Sequence, residues 1–369
     1  MRVTLGDGGS AEQVVRPAGG LVVVHAHPDD ETLATGALLA TWAAAGEAVT
    51  VVTCTRGERG EVIDTVAHPT GVGRLEGDGA ALAAHREGEL AGALVALGVG
   101  DHVFLDAVPL PDDVVPVRYE DSGMAWVAPG IASHATDNAP AGAFVGVDLD
   151  EAAGRLAAVL GDRRPAVVAT YDPDGGYGHP DHVRAHQVTV RALQLLAAEQ
   201  DDTGPAEVVA LWCVVQRASD VRAARRALAG SPEVADLLRS RPAGTELALP
   251  DPEERVLPPV ATWWPDAARA LAGRLPGLEP DPALVVVPVR PVLDRVVAAL
   301  RAHATQVQAV AVTDASDGAD EAGGEVVVGR LALSNDVLAP LLAAERYAAF
   351  RPTPGGASGR SGMPGTVAP

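Results

Sequence analysis

The chain has 369 residues, a hydrophobic fraction of 47% and a formal charge of −21 at pH 7. That length holds one large domain or two ordinary ones, and no apolar run approaches the roughly 18 residues of a membrane span. The negative balance repels nucleic-acid phosphates and anionic lipids, so neither nucleic acid nor membrane is an expected partner.

The basic residues are all arginine, which excludes a lysine Schiff base and the lysine of a phosphate-binding loop. Cys54 and Cys213 are too few for a disulfide framework or a Cys-rich zinc site. Met1 to Gly20 lacks a basic start followed by an apolar core, so the expected compartment is the reducing cytoplasm.

Taken in order, residues 1–19 read as a loose tail. "LVVVHA" (21–26) is short, β-branched and unbroken, as a strand buried on both faces should be. A helix follows over about Leu33–Ala45, closed by Gly46, and "AVTVVTCT" (48–55) reads as a second buried strand. Ala80–Leu97 is helical and "HVFLDA" (102–107) is a third strand. After a Pro/Gly-rich stretch (108–147), Asp148–Leu160 reads as a helix, "AVVATYD" (166–172) as a strand and Asp181–Glu199 as a helix.

Farther on, "AEVVALWCVV" (206–215) is a strand and Ser219–Leu228 a helix. Residues 230–283 are rich in Pro and acids, with "TWWPD" at 262–266. "ALVVVPV" is a further strand, followed by a helix over Val292–Thr305, the segment "EVVVG" and a helix ending near Tyr347. The residues from 351 onward read as a disordered tail.

Alternating buried strands and helices predict a three-layer α/β/α sandwich on a mainly parallel, Rossmann-like sheet. The expected division is a tail (1–19), a catalytic core (20–200), a smaller C-terminal α/β portion completing the substrate cleft (201–350) and a second tail (351–369). In such sheets ligands sit beyond the carboxyl ends of the strands. "HAHPDDE" and "YDPDGGYGHPDH" both lie there, directly behind strands.

Catalytic zinc takes three protein ligands from His, Asp or Glu and leaves a position for water. "HPDD" offers His27 and Asp30, and "HPDH" offers His179 and His182, each pair three residues apart on a turn. Two imidazoles and one carboxylate leave a Lewis-acidic ion, and a neighbouring carboxylate such as Asp29 can act as general base. Either turn alone could instead be a helix start capped by Asp29, Asp30 or Asp181. His25 reads as a packed or supporting histidine. His186 could pair with His182, but position 183 is not Glu, so the HExxH pattern fails and His186 reads as a helix-face residue. No GxSxG elbow, dinucleotide fingerprint or Walker A motif is present. Metal-assisted hydrolysis is the chemistry best supported.

"AHPDDE" (26–31) with "HPDH" (179–182) resembles the PIG-L/LmbE-like zinc deacetylases, which remove acetyl groups from N-acetylglucosamine derivatives. "VVTCTRGERGEVI" (51–63), "HREGEL" (85–90), "DSGMA" (121–125), "TYDPDGGYGHPDH" (170–182) and "AHATQV" (302–307) are similar to the mycothiol-biosynthesis deacetylases. Those enzymes hydrolyse the acetamide of N-acetylglucosaminyl-inositol (GlcNAc-Ins).

The resemblance implies one zinc per chain held by His27, Asp30 and His182, with Fe(II) suiting the same ligands. It implies that Asp29 deprotonates the attacking water and returns the proton to the leaving amine. Tyr177 and His179 would stabilise the oxyanion, and Asp181 would orient His179 and keep it cationic. Arg86 and Asp121 would bind sugar hydroxyls, with Glu61 and Met124 close by. The segment between Asp106 and Asp121 is longer and richer in proline than the loop expected there.

Within the same family the alternatives are a mycothiol S-conjugate amidase, which usually carries proline in place of Gly178, and a deacetylase of another N-acetylglucosamine compound. A non-catalytic sugar-binding protein predicts loss of the base or an oxyanion donor, yet Asp29, Tyr177 and His179 are all present. Oligomeric state is not encoded in any of these motifs.

Overall fold

The computed structural model describes residues 13–110, 118–128, 131–134, 141–200, 209–254, 256, 266–275, 277–313 and 326–353. Of the expected tails 1–19 and 351–369, the parts 1–12 and 354–369 lie outside the described residues, as do the proline-rich 111–117 and nearly all of "TWWPD". The described parts are not loose as expected, since Gln13 and Val14 pair with Val285 and Val286, and Pro352 bridges to Leu278.

Strand β2 (Leu21–His25) is buried at every position. Its side chains alternate between two cores: Val22 and Val24 pack with Leu156 and Val188 on one face, Leu21 and Val23 with Leu38, Leu90 and Val296 on the other. Each such burial stabilises by about 1.5–3 kcal/mol, which is why an unbroken apolar run is required here. The helices that supply those partners are α1 (Asp30–Ala44), α2 (Gly79–Leu97), α3 (Leu149–Arg163), α4 (Pro180–Gln200) and, late in the chain, α8 (Leu293–Ala302). Asp78 caps α2 and Asp148 caps α3 by accepting backbone N–H groups.

The remaining strands of the central sheet are β1 (Gln13–Val14), β3 (Val49–Thr53), β4 (Asp101–Phe104), β7 (Val167–Thr170), β8 (Ala210–Val215), β9 (Ala283–Pro288) and β13 (Ala344–Phe350). The order is β1-β9-β13-β8-β7-β2-β3-β4. From β2 the chain moves outward through β3 and β4, then returns to place β7 on the other side of β2 and moves outward again through β8. The order therefore reverses between β2 and β7, and the crevice at such a switch point is where open α/β sheets bind ligands. Two lesser sheets pair β5 (Met124–Ala128) with β6 (Ile131–His134), and β10 (Gln308–Val312), β11 (Val327–Ala332) and β12 (Leu338–Leu342) with one another. Helices α5 (Ala218–Gly230), α6 (Pro232–Ser240) and α7 (Asp266–Arg274) complete the described elements.

Pairing is parallel through most of the sheet, as expected, but β13 runs antiparallel to both of its neighbours, β8 and β9. This corrects the sequence reading of a helix ending near Tyr347. The Leu/Ala-rich run has good helical propensity, yet it forms β12 and β13. β13 fills a slot in the sheet where Tyr347, Ala348, Ala349 and Phe350 are all buried. Pairing on both edges outweighs local preference. Among the described residues no helix is long and apolar enough to cross a membrane.

Candidate active site

The first turn leaves the end of β2 and enters α1 at Asp29, whose backbone sits at φ 120° and ψ −34°. A residue with a Cβ held there costs about 1–3 kcal/mol. The conformation is secured by Glu31, whose Oε2 accepts the Asp29 N–H at 2.9 Å. The Asp29 side chain makes no capping bond, and Asp30 Oδ2 instead accepts the His27 N–H at 2.9 Å. The acids of this turn do not serve as an ordinary helix cap.

The second turn leaves β7 through Tyr171 and Asp172, whose carboxylate accepts the N–H groups of Asp174 and Gly176 at 2.8 and 2.7 Å. Gly175 has φ 67°, and a Cβ there would lie 2.7 Å from Val183 N and 2.9 Å from His182 Cβ. Only glycine lets this turn approach α4 so closely. Pro180 opens α4, so His182 lies on its first turn.

The two turns meet at Asp30. Its Oδ2 lies 3.2 Å from His27 Nδ1, and its Oδ1 lies 3.3 Å from His182 Nε2. His182 donates from Nδ1 to the Gly175 carbonyl at 3.2 Å, so in the neutral ring its buried Nε2 is an acceptor that faces another acceptor, the Asp30 carboxylate, and no donor satisfies it. Such a buried orphan requires an explanation.

His27 is more constrained still. Its Nε2 faces Asp181 at 3.2 Å and Asp121 at 3.6 Å, while Nδ1 faces Asp30. A neutral imidazole has one proton for these acceptors, so the cluster is satisfied only by additional positive charge. Burial opposes charge on His27, but Asp121, Asp181 and Asp30 outweigh it and hold its pKa well above the usual value. A proton on the ring meets that demand, and a divalent ion displacing the proton meets it equally. The donor set, two imidazoles and a carboxylate with the outer nitrogens anchored, fits such an ion. His179 shares the pocket: its ligating atom and those of His27 and His182 lie within 4.8 Å of one another. Asp121 and Asp181 form a similar group with His27 and His179.

A cleft of about 1750 Å³ opens over the cluster, lined there by His27, Asp29, Asp30, Tyr177 and His179. Arg86, Asp121, Glu61 and Met124 line it as well. Asp29 pairs with Arg86 at 3.2 Å. Burial raises the Asp29 pKa to about 6, Arg86 opposing and Asp30 adding to the rise. Arg86 is buried, with its guanidinium donating to the carbonyls of Pro28 and Gly57. Asp121 accepts the N–H groups of Gly123 and Arg59 at 2.8 and 3.3 Å. The Tyr177 ring stands edge-on to His182 at 5.1 Å and to His179 at 6.0 Å, and burial holds its phenol protonated by raising its pKa.

Asp181 differs from expectation. Its carboxylate goes to Ser122 N at 2.9 Å, Ser122 Oγ at 2.5 Å and His27 Nε2, not to the His179 ring. His179 is oriented instead by the Asp181 backbone N–H, which donates to Nδ1 at 3.2 Å. Burial, with His27 and His182 alongside, lowers the His179 pKa and so opposes the expected cation. With Nδ1 accepting, its proton sits on Nε2.

His25 is buried and bonded to Thr35 Oγ1 at 2.9 Å, with its pKa lowered to about 4 by burial. His186 is buried rather than on an open helix face, and donates from Nδ1 to the Tyr171 carbonyl at 2.8 Å. Sequence reasoning missed Ser122, which anchors Asp181, and Tyr171, which stacks on His182 at 4.2 Å and accepts the Ala26 N–H. Both stand inside motifs already noted, "DSGMA" and "TYDPDGGYGHPDH", but nothing local gives their partners.

The family model described as PIG-L, GlcNAc-PI de-N-acetylase, matches residues 22–193. A 1D-myo-inositol 2-acetamido-2-deoxy-alpha-D-glucopyranoside deacetylase from Kineococcus radiotolerans is 48% identical over 214 residues, 57% of this chain and 55% of that protein. A Streptomyces avermitilis protein of the same name is 51% identical over 178 residues, 48% of this chain and 53% of its own. These two alignments span about half the length of each relative. A Rhodococcus opacus protein, again of that name, is 39% identical over 334 residues, 90% of this chain and 91% of its own. The chain belongs to the PIG-L family.

The matched PIG-L segment contains both His-Pro-Asp turns and the α2 helix that carries Arg86. The cleft reaches beyond it, with Gln216, Arg225, Asn335 and Leu338 on its lining.

Proposed function

We propose that the chain hydrolyses the acetamide of GlcNAc-Ins, releasing acetate and the free amine of glucosaminyl-inositol, as a step of mycothiol biosynthesis. The observation that carries this reading is the convergence of His27 Nδ1 and His182 Nε2 on the Asp30 carboxylate, with Asp29 beside it in the same cleft.

His27, Asp30 and His182 would hold one zinc ion, and Fe(II) suits the same donors. A divalent ion there supplies Lewis acidity that polarises a carbonyl and makes water nucleophilic near neutral pH. Asp29 takes the proton of the attacking water and delivers it to the departing nitrogen. A base with a pKa of about 6 suits that exchange near neutrality. Tyr177 and the Nε2–H of His179 donate to the developing oxyanion. Arg86 and Asp121 bind sugar hydroxyls, with Glu61 and Met124 beside them. Asp181 acts from behind, through His27 and through its own backbone N–H on His179.

The core of residues 20–200 supplies the chemistry, and residues 201–350 supply the opposite wall of the cleft. The enzyme works on a small amino-sugar substrate in the cytoplasm, with neither nucleic acid nor membrane as partner. A mycothiol S-conjugate amidase is the second reading. Gly178 at φ 90° favours the deacetylase, because proline, fixed near −65°, cannot take that conformation.

The deciding experiment offers the protein GlcNAc-Ins and a mycothiol S-conjugate side by side and scores free amine. Faster turnover of GlcNAc-Ins with about one metal per chain, lost on chelation, is the expected result. Equal turnover by the metal-free protein would overturn the mechanism.

A further inference from the structure

The "AHATQV" motif has no part in the chemistry above, yet it is wired to the centre of the site. Helix α8 ends at Ala302, short of the expected Thr305, because the next residues turn inward to bond acids on other elements. His303 Nε2 donates to Glu31 Oε1 at 2.7 Å, and both side chains are wholly buried. The other oxygen of Glu31 holds the Asp29 amide. Two residues on, Thr305 donates from its N–H and Oγ1 to the Glu89 carboxylate at 2.8 and 2.6 Å. Gln306 donates to the Glu61 carbonyl at 2.9 Å. Glu89 shares α2 with Arg86, the partner of the Asp29 carboxylate.

We propose that His303 is a positioning residue: through Glu31 it holds the Asp29 backbone in its φ 120° conformation and so aims the Asp29 carboxylate. The role rests on the reading of Asp29 as the proton-transferring base. A plain packing role for this buried ion pair would need only that α1 and α8 stay together. Glu31, however, holds both ends at once: its Oε1 accepts from His303 and from the Thr32 hydroxyl at 2.5 Å, and its Oε2 accepts the strained amide. The carboxylate is rigid and no solvent reaches it, so a shift of Oε1 on losing His303 also moves the oxygen that holds Asp29, with the Thr32 hydroxyl as its remaining partner. The neighbouring Thr305–Glu89 and Gln306–Glu61 bonds restrain the elements that carry Arg86 and the cleft lining, so the whole turn braces one side of the base.

The test compares His303→Leu, which removes the donor, with His303→Gln, whose amide keeps an N–H near the Nε2 position. The readouts are acetate release from GlcNAc-Ins, metal content and amide hydrogen exchange at Asp29. His303→Leu should lower kcat about 10- to 100-fold with KM and metal content unchanged, the scale of a small misplacement of a reacting group. It should also speed exchange of the Asp29 amide about tenfold, and His303→Gln should recover most of both losses. If His303→Leu does not fold, Glu31→Asp carries the same prediction, since it keeps the charge and shortens the reach by one methylene. An active wild type whose folded variants leave kcat and Asp29 exchange unmoved overturns the proposal. So does a loss confined to KM or metal content. A wild type that releases no acetate, but whose Asp29 exchange responds to His303, would refute the function and leave the positioning intact.

Discussion

Gly175→Ala tests the closeness of the second turn to the helix that carries His182. The new Cβ would lie 2.7 Å from Val183 N and 2.9 Å from both His182 Cβ and Val183 Cγ2. Carbon contacts are comfortable at about 3.5–4.0 Å, so the first turn of α4 must retreat by roughly 0.5–1 Å. Such overpacking costs about 1–3 kcal/mol, and a Cβ in the left-handed region adds about 1–2 kcal/mol. Gly176 is the internal control. It has φ 70°, but a Cβ added there would meet nothing within 4 Å, so Gly176→Ala carries the backbone cost alone. The expected losses are about 2–5 kcal/mol for Gly175→Ala and about 1–2 kcal/mol for Gly176→Ala. Thermal unfolding, metal content after dialysis and acetate release measure the difference. Gly175→Ala should lose metal and about 100-fold in kcat through displacement of His182, while Gly176→Ala keeps its metal. Indistinguishable variants would refute the argument from close approach.

Replacing Asp29 by Asn should leave metal bound and lower kcat by about 10²- to 10⁴-fold, the usual contribution of a general base, read as acetate release at fixed metal content. In the wild type kcat/KM should rise as pH passes about 6 and Asp29 loses its proton. Arg86→Gln should move that limb upward, because the guanidinium favours the carboxylate. Glu345 gives a stability test away from the metal. It accepts the Ala37 and Leu38 N–H groups where α1 breaks at Thr35, and burial raises its pKa to about 7. A raised carboxyl pKa means the folded state holds the proton more tightly. Its contribution is therefore full below the unfolded value of about 4.5 and lost as pH rises through about 7. Thermal melts from about pH 4.5 to 8 should show this decline, and Glu345→Gln should flatten it.

Much of the site was legible because its signals are local. An unbroken β-branched run marks a two-faced buried strand, and two His-Pro-Asp turns directly behind such strands announce a ligand crevice. What decides their partnership is the sheet order: β7 lies parallel to β2 (Leu21↔Val167) because the strands that follow β4 extend the sheet from the other side of β2. The helix expected before Tyr347 shows the limit of propensity, since a slot between β8 and β9 turned a Leu/Ala-rich segment into strands.

The residue types and spacings of "HPDDE" and "GYGHPDH" by themselves determined the chemistry available: three imidazoles and four carboxylates on two turns. Side-chain pairing across the fold decided how those groups are aimed. Asp181 lies two residues from His179, yet its carboxylate bonds His27, because the crevice brings that ring and Ser122 nearer than its neighbour in sequence. Glu31 meets His303 across 272 positions. Spacing fixes which groups share a turn, whereas the direction of each hydrogen bond depends on what long-range packing places opposite it.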